Sequence, residues 1–330
     1  MVCFALQPVI YEVAYSNGIR PERAMVTGTM AAQCAITASP ISAATAALIG
    51  LFAAYGHNEV SLAHIMMICV PAGLASVMLT SFLFIRWGKD LSSDMAFQER
   101  LAKGMIEQPR PIEFVRTDKR SLLSLVVFAA GIVYIVCAGV FPSLRTVPGT
   151  TAPVGMATAI ELVMLLAGAL IMIVCRPNLN QVANSQILRS ALTTMICIIG
   201  CSWLADSFVA ANKDVILATF GQLVQEAPWT FAIVLFLMSA VMNSQGATTR
   251  AIMPMGFALG LAPLSLVAMF PAVNGFALFP INGPAIAACS LDRSGTTSMG
   301  RYLVDNPFQI FGSVCAVLAV SLGFALVWLL

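Results

Sequence analysis

The sequence predicts an all-α, polytopic membrane protein with about ten crossings, some of them discontinuous helices or re-entrant hairpins. Three observations point there. Of 330 residues, 59% are hydrophobic and only 10% charged, with a mean hydropathy of +0.89, a balance that no water-soluble domain of this length tolerates on its surface. Runs without Asp, Glu, Lys or Arg cover 24–54, 61–85, 121–141, 227–249, 251–291 and 307–330, and each reaches the ~20 residues that a helix needs to cross the hydrocarbon core. The basic residues, finally, recur at intervals that place most of them on one side.

In order, the expected segments are 1–17, 24–54, 61–86, 121–141, 153–175, 190–211, 228–245, 251–271, 272–290 and 307–330. The first opens on Met1–Ala5, which lacks the basic flank of a cleavable signal, so the chain is expected to begin inside a membrane segment. The polar stretch 86–120 holds eight of the seventeen Lys and Arg: Arg86, Lys89, Arg100, Lys103, Arg110, Arg116, Lys119 and Arg120. It is therefore expected to be cytoplasmic. Counting crossings outward puts Arg20, Arg23, Arg176, Arg189, Arg250, Arg293 and Arg301 on that same side, and the C-terminus outside. The run 251–291 is long enough for two crossings. Residues 212–227, with Lys213, Asp214 and Glu226, read as an external connector or interfacial helix. The chain divides into residues 1–86, a cytoplasmic linker at 87–120, and a second half at 121–330.

Three segments are too polar or too broken to be plain spans. In "AAQCAITASPISAATAAL" (31–48), Ser and Thr crowd around Pro40; "WLADSFVAAN" (203–212) carries Asp206; "AVNGFALFPINGPAIAACS" (272–290) has prolines, glycines and asparagines at membrane depth. Breaks are expected near 37–42, 203–212 and 274–284. Pro and Gly there release backbone groups, which is tolerable only where the chain faces protein, water or a ligand. Discontinuous helices of this kind build the sites of many secondary transporters. A single break is as well explained by a kink filled with neighbouring hydroxyls; three in one chain favour a transport site. A short echo between "GIRPERAM" (18–25) and "GATTRAIM" (246–253) suggests two related halves.

Other classes are poorly served. The nine cysteines lie mostly inside apolar runs without a paired framework and are most simply core residues. Cys197 and Cys201 share a helix face, but a metal site needs further ligands, and His57 and His64 are the only histidines. No cofactor is expected, and no basic stripe interleaved with aromatics suggests nucleic acid. "DRSGTT" (292–297) reads like the aspartyl-phosphate loop of an ion-pumping ATPase. A pump needs large soluble domains around that Asp, and the polar loops here are too short to fold into them. The stretch is expected instead at the cytoplasmic exit of the last broken segment, with Asp292 pairing Arg293 or Arg301.

Leu6–Ala14 (LQPVIYEVA), GIRPER, AITASPISAAT, WLADSF, MNSQGATTRAIMP and DRSGTTSMG follow in this order along the chain. Together they resemble the anaerobic four-carbon dicarboxylate transporter (Dcu) family, and the resemblance covers almost the whole chain. It implies a bacterial inner-membrane antiporter that exchanges fumarate, malate or aspartate for succinate, with the broken helices and inverted repeats of the wider ion-transporter superfamily. It also implies further helices upstream of Leu6, and a Tyr-Pro or Thr-Pro wording where this chain has LFPINGP (278–284).

A dicarboxylate has two anionic ends, so its site needs hydrogen-bond donors and positive potential without excessive fixed charge. Helix N-termini, Ser, Thr and Asn supply these. Thr37, Ser39 and Ser42 are the candidates for one carboxylate; Asn274, Asn282 and Gly283 are those for the other. Ser244, Gln245, Thr248, Thr249 and Arg250 lie at the end of a span, where Arg250 is either a bidentate clamp or an interfacial anchor. Thr296 and Thr297 are candidates to line the path. Asp206 and Glu161, ionisable groups in apolar segments, are candidates for coupling. The partners are thus small dicarboxylates and the lipid bilayer, and a homo-oligomer is compatible with this reading. An intramembrane hydrolase is disfavoured by the absence of GxSG and HExxH. A uniporter or channel lined by the same breaks is the nearer rival, and trans-stimulation separates it from an exchanger.

Overall fold

The computed structural model describes residues 2–40, 42–57, 59–106, 118–146, 153–154, 156–185, 224–279, 283–297 and 306–329, with isolated positions between 186 and 223. Among these, all regular structure is helical. Helices α1 (Val2–Ser16), α2 (Pro21–Cys34), α3 (Ala43–Ala54) and α4 (Leu62–Phe84) precede a short α5 (Met95–Ala102) in the polar stretch. The pair α6 (Lys119–Val140) and α7 (Met156–Leu170), the latter running into a π turn at Ile171–Cys175, is followed by α8 (Leu179–Ala183). The last group is α9 (Phe231–Met242), α10 (Gln245–Ala258), α11 (Pro263–Met269), a 3-10 stretch Phe270–Leu278, α12 (Gly283–Leu291) and α13 (Pro307–Leu329).

Local sequence explains most boundaries. Gly18 and Gly260 adopt φ of +70° and +72°, where glycine has no steric penalty. The next amides reach back, Ile19 N–H to Ala14 O at 2.9 Å and Leu261 N–H to Gly256 O at 3.1 Å. Two residues on, Pro21 and Pro263 open the following helices, as the missing N–H of proline suits a first turn. Ser42, Asp94 and Ser244 cap α3, α5 and α10 by accepting amides of the first turn, while Ser61 and His64 form a reciprocal box on α4. "GIRPERAM" thus straddles a corner, whereas "GATTRAIM" lies wholly inside α10. The two octapeptides are not equivalent places in the fold; a corner of the same kind as Gly18–Pro21 stands at Gly260–Pro263.

By length and composition, α4 and α13 can each cross a membrane, and Pro263–Leu278 with Gly283–Leu291 forms a third candidate bent by 48°. Shorter apolar helices cover Ala43–Ala54, Leu162–Cys175 and Pro228–Met242. The uninterrupted run 24–54 is therefore two helices with turns between them, and the expected boundary at 271/272 falls inside a 3-10 stretch because Pro263, not Pro271, starts the helix. Large apolar side chains such as Met78, Phe82, Leu165, Val317 and Trp328 face outward, as a lipid-facing exterior requires. Two apolar clusters lie inside. One joins α3, α4, α9, α10 and α11 around Phe52, Ile65, Leu235, Met253 and Phe270. The other joins α1, α2, α12 and α13 around Tyr11, Met25, Met30, Phe308 and Phe311.

Helix α13 runs through both clusters and packs on α4 and the 3-10 stretch. That stretch is nine residues long, unusual for a geometry that seldom exceeds three or four. Its loosened carbonyls find side chains: Ser239 Oγ donates to Val273 O, and Asn306 Nδ2 to Ala277 O and Leu278 O at 3.3 and 3.4 Å. This satisfies backbone groups that could not be left bare in hydrocarbon.

The corner before α2 and the polar stretch after α4 are joined by ion pairs. Arg20 pairs with Glu22 and Asp94 at 2.5 and 2.6 Å. Arg23 reaches Asp90 at 2.8 Å and the carbonyls of Trp87 and Gly88. Burial pushes the Asp94 carboxyl up, but the Arg20 guanidinium and the Phe97 and Ala96 amides outweigh it and hold it below the usual carboxylate range. A lowered carboxyl contributes its full stability above its unfolded value and loses it as pH falls through the folded one. The expected result is that Asp94→Asn lowers the melting temperature in detergent near pH 7 by the equivalent of about 1 kcal/mol. As acidification protonates the lowered Asp94 carboxyl the gap to wild type should close; a gap that persists once it is protonated would refute the role of the charge.

Candidate functional site

Three separate elements meet through buried polar side chains. Thr37, in the turns after α2, donates its hydroxyl to Cys34 O at 3.0 Å and accepts from Asn274 Nδ2 at 3.5 Å. Gln245, the first residue of α10, donates from Nε2 to Asn274 Oδ1 at 2.6 Å and to Gln33 O at 3.1 Å. Thr37, Gln245 and Asn274 are each more than nine-tenths buried, so the network links the first break, the start of α10 and the 3-10 stretch away from bulk solvent. Asn274, assigned with Asn282 on sequence, meets Thr37 here, and Asn282 lies outside the described residues.

Beside this network two helices begin together. Ser42 Oγ accepts from Thr45 N–H at 3.0 Å and donates to Thr45 Oγ1 at 2.9 Å, while Ser244 Oγ accepts from Ala247 N–H at 3.3 Å. Thr248 and Thr249 turn their hydroxyls back to Ser244 O and Gln245 O, both at 2.7 Å. A methyl group on Gly246 would stand 3.6 Å from Arg250 Nη1 and 3.8 Å from the Ala44 amide nitrogen. The guanidinium therefore flanks the first turn of α3, whose leading amides have no intrahelical acceptor. Arg250 is exposed and makes no hydrogen bond or ion pair among the described residues.

The far end of α10 stacks Phe257 on Tyr55, with ring centroids 4.7 Å apart, and meets Phe52 edge-on. Helices α3 and α10 thus run side by side in the same direction, and Arg250 lies one turn in from the start of α10 rather than at the end of a span. Positive charge, two helix N-termini and a ring of Ser and Thr form a surface suited to a carboxylate. Ser39 lies in the same turns, and its amide donates to Ile36 O at 3.3 Å.

A second polar cluster marks the other break. Gly283, buried, opens α12. Gln7 of α1, fully buried, donates to Pro284 O at 2.8 Å and to Thr29 Oγ1 at 3.0 Å, and its Oε1 has no partner among the described residues. Gln7 and Thr29 were missed on sequence because isolated polar residues in apolar helices give no local signal; only the fold brings them to the start of α12.

The "DRSGTT" stretch closes on itself. Asp292 accepts from the Ser294 amide at 2.8 Å and from the Ser294 hydroxyl, and also from Thr296 Oγ1 at 3.0 Å and the Thr297 amide at 2.6 Å. Arg293 pairs with Glu12 and lies over the Tyr11 ring, leaving Asp292 to the turn; Arg301 lies outside the described residues. Arg100 holds the turn from α5 through Ser294 O and Gly295 O. Thr296 also accepts from the Glu22 amide at 3.3 Å. Because Glu22 and Thr37 lie at opposite ends of α2, they are about 20 Å apart. Thr296 and Thr297 therefore do not share one pocket with Thr37. Asn282, Asp206, Cys197 and Cys201 lie outside the described residues, as does the side chain of Glu161. No metal-ligand cluster occurs among the described residues.

A family profile described as "Anaerobic c4-dicarboxylate membrane transporter" matches residues 1–330. The chain belongs to this family. The Dcu relatives include the "C4-dicarboxylate transporter DcuA" of Escherichia coli (strain K12), 34% identical over 328 residues, which are 98% of this chain and 74% of that protein. The DcuA of Wolinella succinogenes is 32% identical over 97% of this chain and 73% of its own length. The "Anaerobic C4-dicarboxylate transporter DcuB" of Escherichia coli O6:H1 is 32% identical over 95% and 72%. No solved structure matches. A Dcu-family chain is a membrane transporter and not an enzyme, which accords with the apolar spans and outward-facing apolar side chains described above.

Proposed function

We propose that this protein is a secondary antiporter that exchanges C4-dicarboxylates, taking fumarate, malate or aspartate against succinate across the bacterial inner membrane by alternating access. The observation that carries this reading is the Arg250 guanidinium beside the first turn of α3, without a partner among the described residues. One substrate carboxylate binds there, oriented by Ser39, Ser42 and Ser244. The buried Thr37–Asn274–Gln245 network holds the three elements in register. The break before Gly283, with Asn282, receives the other end, while Asp206 and Glu161 carry any coupled proton. Thr296 and Thr297 belong to the cytoplasmic part of the path.

The paired corners at Gly18 and Gly260 support an inverted repeat, with α1–α4 answering α10–α13 in a chain of about ten crossings. Each half then places a break next to a corner-linked helix. Exchange in this scheme needs no nucleotide, since the gradient of one dicarboxylate drives the other.

Uptake of labelled succinate into proteoliposomes tests the proposal. Stimulation by internal fumarate is expected; uptake indifferent to the far side would replace the exchanger with a pore. Gln245→Ala, which removes both network bonds made by Nε2, is expected to lower exchange about tenfold while insertion is retained. Unchanged exchange would take the network out of the site.

A further inference from the structure

We propose that Cys34 and Cys315 are a redox-sensitive pair whose closure to a disulfide arrests the protein. Arrest is read against the transport function proposed above, whereas pairing is independent of it. Cys34 is the last residue of α2 and Cys315 lies in α13. Although 281 positions apart, their sulfurs are 3.4 Å from each other, with 4% and 0% of the two residues exposed. Ser76 of α4 contacts Cys315 Sγ at 3.5 Å and donates to Gly73 O at 2.9 Å. Both are free thiols. A disulfide would require the sulfurs to close by only about 1.4 Å.

The oxidant is a peroxide, small and uncharged enough to reach a buried thiol. One sulfur attacks a peroxide oxygen, the O–O bond breaks, water leaves and a sulfenic acid remains. The second sulfur then attacks the sulfenic sulfur and expels a second water. Two thiols lose two electrons and two protons, and hydrogen peroxide becomes two waters. A thiol reductant reverses the bond by exchange.

The position of the pair determines the effect. The Cys34 carbonyl receives Thr37 and the neighbouring Gln33 carbonyl receives Gln245, so Cys34 is where α2 enters the first break. Helix α13 packs on α4 and on the 3-10 stretch that carries Asn274. A covalent tie fixes the break to that frame until it is reduced, whereas the hydrogen bonds of the Thr37–Asn274–Gln245 network can part when the two move relative to each other in alternating access.

The test uses the full chain in proteoliposomes, treated with hydrogen peroxide and then with dithiothreitol. The expected result is a Cys34–Cys315 disulfide peptide by mass spectrometry, a loss of exchange of at least about tenfold, and recovery on reduction. Cys315→Ser should retain its exchange after peroxide, and Cys34→Ser should abolish the disulfide peptide. Separately alkylated Cys34 and Cys315 after treatment would overturn the pairing. A fully formed disulfide with unchanged exchange, or a Cys315→Ser variant inactivated like wild type, would overturn the arrest. Mapping reads the pair without any transport, so its result stands whatever becomes of the dicarboxylate reading.

Discussion

Alanine in place of Gly275 is expected to prevent the native bundle from forming. A Cβ there would lie 1.9 Å from the Phe236 carbonyl oxygen, 2.7 Å from its carbon and 3.0 Å from its Cα. All three are backbone atoms of α9, so no rotamer change relieves the clash, and the 3-10 stretch and α9 must separate. Separation would also break the Ser239–Val273 bond that satisfies a loosened carbonyl. The cost is expected to exceed about 3 kcal/mol, beyond the usual range for overpacking, because the obstacle cannot rearrange. Gly50 of α3 is the control, since a Cβ there meets nothing within 4 Å. Melting of the detergent-solubilised protein should show Gly275→Ala aggregated or strongly destabilised and Gly50→Ala close to wild type. Equal stability of the two would show that these helices do not approach so closely.

The second large effect is expected at Arg250, on transport instead of folding. Exposed and without a partner among the described residues, Arg250 contributes little to the fold, so Arg250→Ala should insert and melt normally. A charge-assisted bond to carboxylate is worth about 1.5–3 kcal/mol, which predicts a loss of exchange between about tenfold and a hundredfold. Arg250→Lys should recover only part of this, because a single ammonium cannot reproduce a planar fork. Wild-type uptake by Arg250→Ala would move the carboxylate elsewhere.

Composition alone disclosed the membrane setting, since 10% charge over 330 residues leaves no alternative surface. The ordered motifs disclosed the family because they are spread along the whole chain. Other features were hidden for physical reasons. Hydropathy reports the solvent around a segment and not its backbone path, so the run 24–54 looked like one span although it contains α2, α3 and the turns between them. The charge rule assigns Arg250 a side by counting crossings, but it cannot see that the residue lies in the second turn of α10 beside the start of α3. Asn274 was grouped with Asn282 by nearness in sequence; the 3-10 stretch turns it toward Thr37 and Gln245. Cys34 and Cys315 read as ordinary core residues, and nothing short of three-dimensional proximity could have joined them.

The corners at Gly18 and Gly260 bear on how the protein is made. Each is held by a hydrogen bond spanning five residues and by a proline that presets the next helix, both of them local to the turn. Synthesis delivers the N-terminal part first. Helices α1 and α2 can therefore take their mutual angle in the bilayer while later helices are still unmade, and α10 and α11 can do the same in turn. Helix α13, which emerges after them, enters a groove whose walls are already set. Biogenesis then depends on its late arrival: until α13 docks, Met30 and Cys34 of α2 lack the Gly312 and Cys315 that pack against them.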